Sequence, residues 1–169
     1  SLPALHLTNI AIHFACGVLV WRLLGRLTPG RALPLLGALL FIAHPLQSQG
    51  VTYLVQRSVL LGTFFFLLAL FFHLRARAAL DAGLLRTSAG YLRPYLGALL
   101  AGGAALLGKE NTAVLPLVLL AWNRCFPLPA GRDWRRDLGD CLPFCVAPAL
   151  MAAGVFTGLT AGGEPRPLY

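Results

Sequence analysis

The chain has 169 residues, of which 57% are hydrophobic and only 12% are charged. A soluble domain has about a quarter charged residues and somewhat under half apolar ones. This chain therefore has too little polar surface to cover a water-exposed globule, and its mean hydropathy of +0.72 favours a membrane protein over a soluble enzyme. The formal net charge is +8, but the basic residues stand in short clusters between apolar runs, which does not fit a nucleic-acid surface.

Six apolar segments follow one another along the chain and predict an all-α membrane protein. A helix needs about 20 mainly apolar residues to cross a bilayer, with a range of about 17–25. We therefore expect one membrane-embedded domain over residues 1–169, a polytopic helix bundle with about six transmembrane helices and a short outer juxtamembrane segment. The predicted spans are 5–24, 32–44, 58–74, 92–107, 112–123 and 138–161, with proline kinks at Pro116, Pro143 and Pro148.

The short segments 92–107 and 112–123 allow two arrangements. They form either a tight hairpin whose turn carries Lys109, or one helix with Lys109 near its middle. Charge at the centre of a bilayer is costly, so the hairpin is favoured, with Lys109 recessed below the outer surface.

The distribution of basic residues predicts the orientation. Arginine and lysine prefer the cytoplasmic side of short membrane loops. The loops after the first, third and fifth segments hold eleven of the fourteen basic residues, so these loops are predicted to be cytoplasmic. The cytoplasmic set is Arg22, Arg26, Arg31, Arg75, Arg77, Arg86, Arg93, Arg124, Arg132, Arg135 and Arg136, and the outer set is Arg57, Lys109 and Arg166.

Several polar side chains fall within the apolar segments near the predicted outer side. His6, Asn9 and His13 share one face of the first helix, because their spacing is i, i+3, i+7. Such residues are expected to face the interior of the bundle, where they line a site. The alternative is hydrogen bonding that holds helices together, which is favoured for Asn9 and stays open for His13.

The second helix is predicted to end at His44-Pro45, where proline disfavours helical geometry in the residue before it. His44 is then presented at a fixed break, although a histidine there can simply cap the last turn. The polar stretch 46–57, which includes Gln56 and Arg57, is predicted to form the wall of an outward-facing site. Snorkelling at a helix end is the alternative for Arg57.

Lys109 and Glu110 form the most informative pair. A recessed ammonium near a second basic group suits a lipid phosphate, because phosphate in a low-dielectric site needs charge-assisted donors. The alternative is a pair that merely neutralises itself. Three roles stay open for Glu110: it neutralises Lys109, it orients Lys109, or it contacts a sugar or a metal.

The sequence contains no other catalytic or metal-binding pattern. There is no Ser/His/Asp order of a triad, no phosphate-cradling glycine loop and no zinc spacing. No metal ligands are predicted. The cysteines lie in or beside the apolar runs without a metal-type or disulfide framework, and they are Cys16, Cys125, Cys141 and Cys145.

Three blocks occur together in one group of enzymes: residues 6–13 (HLTNIAIH), 41–57 (FIAHPLQSQGVTYLVQR) and 107–116 (LGKENTAVLP). The chain resembles, from His6 to about Trp122, the multi-spanning part of the bacterial relatives of transmembrane tetratricopeptide-repeat protein O-mannosyltransferases. These belong to the C-type glycosyltransferase superfamily, together with the dolichyl-phosphate-mannose–protein mannosyltransferases.

The resemblance implies transfer of a sugar from a polyprenyl-phosphate carrier to an acceptor, a protein hydroxyl or a glycan, outside the membrane. It implies the bacterial inner membrane, with the active site on the periplasmic side. The catalytic aspartate of the family would precede Ser1, so this chain would supply the carrier-binding wall. Lys109 would contact the carrier phosphate, with Arg57 beside it, and some members of the superfamily use a divalent metal. The predicted lining residues are His6, Asn9, His13, His44, Gln56, Glu110 and Asn111.

Two other classes stay open from the sequence. A transporter or flippase fragment would use the same polar residues as a pathway, although such proteins usually show an internal hydropathy repeat. A non-catalytic scaffold would use them only to bond helices together.

Overall fold

The computed structural model describes residues 2–45, 57–126 and 134–160, and the regular structure in these ranges is helical. The all-α prediction is therefore confirmed. Seven α-helices and one 3-10 helix make up the described part of the chain. They are α1 (Leu2–Leu24), α2 (Ala32–Ala43), α3 (Arg57–Asp81), α4 (Ala89–Gly108), the 3-10 helix (Glu110–Val114), α5 (Leu115–Cys125), α6 (Trp134–Cys141) and α7 (Pro143–Thr160).

The helices end where the sequence offers residues that leave helical geometry. Gly30 and Gly83 adopt positive φ values of 89° and 79° in the turns after α1 and α3. Glycine takes these values without steric penalty, so each turn reverses the chain within a few residues. α2 ends before His44, which is extended at φ −66° and ψ 128°, as expected before Pro45.

Two of the described helices are long and apolar enough to cross a membrane, the stretch 4–24 of α1 and the whole of α3. α2 and the segment 143–154 of α7 are apolar but shorter. At 1.5 Å per residue, α2 and α5 reach about 18 and 17 Å, against about 30 Å for the hydrocarbon core. The prediction of six complete spans is therefore not confirmed in the described residues.

The helix bounds in the structure differ from the bounds of the predicted apolar spans, because of where the prolines and alanines fall. α3 continues to Asp81 instead of ending at residue 74, since the alanine-rich stretch after it favours helix. The predicted span 138–161 divides at Leu142 into α6 and α7. Pro143 begins α7 and Pro116 lies in the first turn of α5, where a missing N–H costs nothing, so neither is a kink. Pro148 does lie inside α7.

The core lies where α3 packs along α4 and where α5 and α7 cover that pair. Elsewhere large apolar side chains are exposed on the helix surfaces, including Phe14, Leu40 and Leu100 at 62%, 70% and 77%. The buried cluster is Leu23, Ala69, Leu70, Leu74, Ala98, Ala101, Leu115, Leu119, Cys141 and Phe144.

α3 and α4 approach most closely at two glycines. A Cβ atom on Gly108 would lie 2.9 Å from both Cα and N of Gly62, and 3.0 Å from the carbonyl oxygen of Ser58. These neighbours are backbone atoms, so they cannot rotate away. The contact fixes the C-terminal end of α4, and with it Lys109, against the first turns of α3.

We expect Gly108→Ala to destabilise the fold by about 1–3 kcal/mol, because the added methyl group must push the two backbones apart. Gly103→Ala is the matched control on the same helix, since a Cβ there meets nothing within 4 Å. That control should be neutral or stabilising by up to about 1 kcal/mol, because alanine favours a helix over glycine. Thermal unfolding in detergent measures both, and equal stability of the two variants would contradict the close contact.

Candidate functional site

The predicted site residues that fall within the described ranges lie toward one end of the helix bundle, which we call the lysine end. It comprises the N-terminal half of α1, the first turns of α3, the last turns of α2 and α4, and the 3-10 helix. Three contacts bring these turns together: His13 with Ile42, Asn9 with Arg57, and Gly62 with the turn at Lys109. We call the opposite end the arginine end, where Arg26 Nη1 donates to the carbonyl oxygen of Leu74 at 3.2 Å.

Arg57 connects α3 to α1. Its Nε donates to Oδ1 of Asn9 at 3.2 Å, and its Nη2 donates to the carbonyl oxygen of Leu5 at 3.3 Å. Asn9 is fully buried, so the helix-bonding interpretation of Asn9 fits its position. Within the described residues, these bonds use two of the five N–H donors of Arg57.

His13 bonds α1 to α2. Its Nε2 lies 3.1 Å from the carbonyl oxygen of Ile42, and its ring stacks on Phe41 at a centroid distance of 5.6 Å. A carbonyl only accepts, so Nε2 carries the proton, and the buried Nδ1 has no hydrogen-bond partner in the described part of the chain. His6 is half-buried and His44 is exposed at the end of α2.

Gln56 and the remainder of the predicted wall, residues 46–56, lie outside the described residues. The part of the predicted site that can be described therefore consists of helix ends and the turn after α4.

Lys109 follows α4 in an extended conformation, with φ −158° and ψ 131°. Its backbone N–H donates to the carbonyl oxygen of Ala105, and its Nζ lies 3.4 Å from Oε1 of Glu110. The two side chains are 37% and 61% exposed. The backbone N–H of Glu110 and then the ammonium of Lys109 lower the pKa of the Glu110 carboxyl, so it is ionised at neutral pH.

The chain reverses after Lys109. A Cβ atom on Gly102 of α4 would lie 3.0 Å from Cδ2 of Leu115, and α5 then runs back to the arginine end, where Asn123 meets His73. The segment is therefore a hairpin with a 3-10 turn, not one continuous helix.

A cleft of about 410 Å³ opens beside Lys109, and we call it the lysine cleft. Asn111 lies at its edge with Thr112, whose hydroxyl donates to the carbonyl oxygen of Lys109 at 2.7 Å. α3 supplies the other wall. Lys109 and Asn111 thus bring donor groups to a cleft whose wall from α3 is largely apolar. The lining residues are Val59, Thr63, Phe66, Lys109, Asn111 and Thr112.

The described part of the lysine end does not fit a divalent metal ion. Among the described residues, no group of three or more histidines, cysteines or carboxylates could hold one. Glu110 is the one described carboxylate near the lysine cleft, and it is paired with Lys109. A hard cation takes about six or more oxygen ligands, and the described residues here do not supply such a set.

The structure contains a buried polar cluster at the arginine end that the sequence did not predict. Oδ1 of Asn123 accepts a hydrogen bond from Nη1 of Arg77 and lies 3.1 Å from Nε2 of His73. Arg77 Nη2 donates to the carbonyl oxygen of Phe126 at 2.8 Å, and Asn123 Nδ2 donates to Sγ of Cys141 at 3.5 Å. The i, i+4 spacing of His73 and Arg77, on one face of an apolar helix, was the signal that could have found this asparagine cluster.

A bidentate ion pair holds α6 close to that cluster. Nη1 and Nη2 of Arg86 lie 2.6 and 3.1 Å from the two carboxylate oxygens of Asp140. Tyr95 of α4 donates its hydroxyl to the carbonyl oxygen of Asp140 at 2.9 Å. Several arginines that the charge count assigns to loops therefore have structural partners.

Comparisons with known protein families, with curated proteins and with solved structures found no match for this chain. The resemblance to C-type glycosyltransferases therefore rests on the three sequence blocks alone. The fold itself defines a class, an all-helical chain with two helices in its described part that are long and apolar enough to cross a membrane.

Proposed function

We propose that this chain is the carrier-binding part of an integral-membrane glycosyltransferase. The enzyme moves a sugar from a polyprenyl-phosphate carrier to a protein hydroxyl or a glycan. The observation that carries the proposal is the lysine cleft, which Lys109 lines opposite a largely apolar wall from α3. The phosphate of such a carrier would bind the cation, and its prenyl tail would pack on the apolar surface.

The proposal includes a membrane orientation. The described arginines other than Arg57 lie at the arginine end, whereas Arg57 and Lys109 lie at the lysine end. By the preference of basic residues for the cytoplasm, the lysine end faces the periplasm of a bacterial inner membrane. The exposed apolar side chains of α1, α2 and α4 face lipid, and all six apolar segments enter the bilayer.

The chemical role of Lys109 is to stabilise the leaving group. The acceptor oxygen attacks the anomeric carbon of the sugar, and the bond from that carbon to the phosphate oxygen breaks. The phosphate leaves with the electron pair, and its growing charge is offset by the ammonium. The acceptor proton passes to a general base, which the family resemblance implies is an aspartate of the complete enzyme.

The ion pair with Glu110 does not block this role. Both side chains are substantially exposed, and an exposed pair contributes only about 0–1 kcal/mol. The carrier phosphate can therefore replace the carboxylate as the partner of Lys109. Asn111 supplies a second donor at the edge of the cleft, while Arg57 positions α3 through its bonds to α1.

A scaffold is the second candidate, and one observation favours it. The described bonds of Asn9, His13 and Arg57 run from helix to helix. Bonds of this kind are what a purely structural set of polar residues would make. The scaffold assigns no function to the lysine cleft.

The test uses the complete protein in sealed membrane vesicles. A water-soluble, short-chain polyprenyl phosphate that carries a radiolabelled sugar is added from outside. Right-side-out vesicles should consume this donor and transfer the label to an acceptor, whereas inside-out vesicles and vesicles without the protein should not. Intact donor in every preparation would support the scaffold, and intact donor that crosses the membrane would indicate a transporter.

A further inference from the structure

A second cleft lies at the arginine end, between the loop after α1 and the first turns of α4. Its volume is about 650 Å³, within the range of about 300–1,000 Å³ typical of small-molecule sites. Three arginines line it, one from the loop after α1, one from α3 and one from α4. We call it the arginine cleft. Its main lining residues are Arg26, Phe72, Arg75, Gly90, Arg93 and Pro94.

No acidic side chain of the described chain lines the arginine cleft. Arg26 and Arg75 both lie over the ring of Phe71, at 5.7 and 5.9 Å from its centroid. Burial, and then the charge of Arg75, lower the pKa of Arg26. By contrast, Arg86 at the same end is paired with Asp140. The arginine cleft thus concentrates positive charge that the described protein does not neutralise.

The N-terminus of α4 adds to this positive potential. Ala89 and Gly90, in the first turn of α4, line the cleft. The N-cap residue Ser88 makes no side-chain hydrogen bond to that turn, because its hydroxyl donates to the carbonyl oxygen of Leu85 at 2.7 Å. An uncapped helix N-terminus attracts anions through its N–H groups and its dipole.

We propose that the arginine cleft binds the phosphodiester headgroup of an anionic phospholipid. Charge-assisted hydrogen bonds from guanidinium groups to phosphate oxygens are among the strongest in proteins. The phosphodiester of a lipid headgroup supplies a negative charge that offsets the positive charge of the three arginines.

The position of the cleft favours a lipid over free phosphate. Arg75 lies 18 residues after Arg57 on α3, which is about 27 Å along the helix axis. This distance is close to the thickness of a hydrocarbon core, about 30 Å, so the cleft falls at headgroup level. Leu92 and Leu96 of α4 are 40% and 55% exposed beside it and offer an apolar surface to acyl chains. The proposal rests on this geometry and not on the glycosyltransferase activity.

The test counts lipids bound to the purified complete protein by native mass spectrometry in detergent. Phosphatidylglycerol is titrated against phosphatidylcholine, which carries no net charge. The triple variant Arg26→Gln, Arg75→Gln and Arg93→Gln should bind phosphatidylglycerol about 100-fold more weakly, and Arg93→Gln alone about fivefold more weakly. Arg93 is exposed, so the single variant decides the matter if the triple variant does not fold.

The matched control removes three arginines of the same end that do not line the cleft, by Arg22→Gln, Arg31→Gln and Arg124→Gln. This variant should keep the native affinity. Equal weakening in both triple variants would show a diffuse charge effect and overturn the site. Equal binding of phosphatidylcholine, or displacement of phosphatidylglycerol by millimolar inorganic phosphate, would overturn the assignment to an anionic lipid.

Discussion

Replacing Lys109 by methionine is expected to reduce sugar transfer from the polyprenyl-phosphate carrier by about 10²-fold or more. Methionine keeps the length and apolar stem of the side chain but removes the ammonium that faces the growing phosphate charge. Within the described ranges, the ion pair of Lys109 is with the exposed Glu110. The loss should therefore fall on the turnover rate while the folded, membrane-inserted fraction stays unchanged. Radiolabel transfer by the complete protein measures the first, and protease resistance in membranes measures the second.

Two further variants make this result specific. Lys109→Arg keeps the positive charge and should retain a measurable part of the activity. Arg31→Met removes one positive charge from an exposed position in the loop before α2 and should leave transfer at its native rate. Unchanged turnover in Lys109→Met would remove the lysine from the mechanism, and an equal loss in Arg31→Met would show that only net charge matters.

Replacing Asn123 by leucine is expected to destabilise the fold by about 3–5 kcal/mol, because it removes the acceptor that a buried cation uses. Arg77 and His73 are 6% and 2% exposed and both meet Oδ1 of Asn123. Leucine has the same branched side-chain skeleton but is bulkier, so the loss combines the missing acceptor with a packing cost at this buried position. Thermal or denaturant unfolding in detergent measures the effect.

Asn123→Asp and Asn111→Leu serve as controls for that measurement. Aspartate keeps an acceptor oxygen and adds a charge opposite Arg77, so most of the stability should return. Asn111 is exposed, and its change to leucine should alter stability by no more than about 0.5 kcal/mol. If Asn123→Leu were as stable as Asn111→Leu, the asparagine cluster would have no structural role.

The apolar runs were enough to predict the helices but not their ends. Runs rich in leucine, alanine and phenylalanine specify helix wherever they occur, so each described element overlaps a predicted segment or continues one. Hydropathy alone ended the third segment at residue 74, because Arg75 and Arg77 lower its average. Helix propensity continued through them, and burial of Arg77 against Asn123 stabilised that continuation.

The candidate site was predictable as a location but not as a set of contacts. Alternating helix directions bring the polar residues of successive segments to one end, and this follows from the chain order. The pairing of Asn9 with Arg57 spans 48 residues, and no local pattern reports such a distance. The arginine end shows the same limit, since a charge count cannot separate Arg86, paired with Asp140, from Arg93, which lines a cleft.

In the proposed membrane orientation, Arg57 limits how α3 can adapt to the lipid around it. A basic side chain at a helix end usually adjusts to bilayer thickness by bending its long stem toward water. Arg57 is denied this freedom, because its guanidinium is held by Asn9 and Leu5 of the neighbouring helix. Acyl chains that are too long or too short must therefore be accommodated by tilt of the helix pair or by deformation of the lipid. The α1–α3 pair would then respond to a change in membrane thickness as one rigid unit.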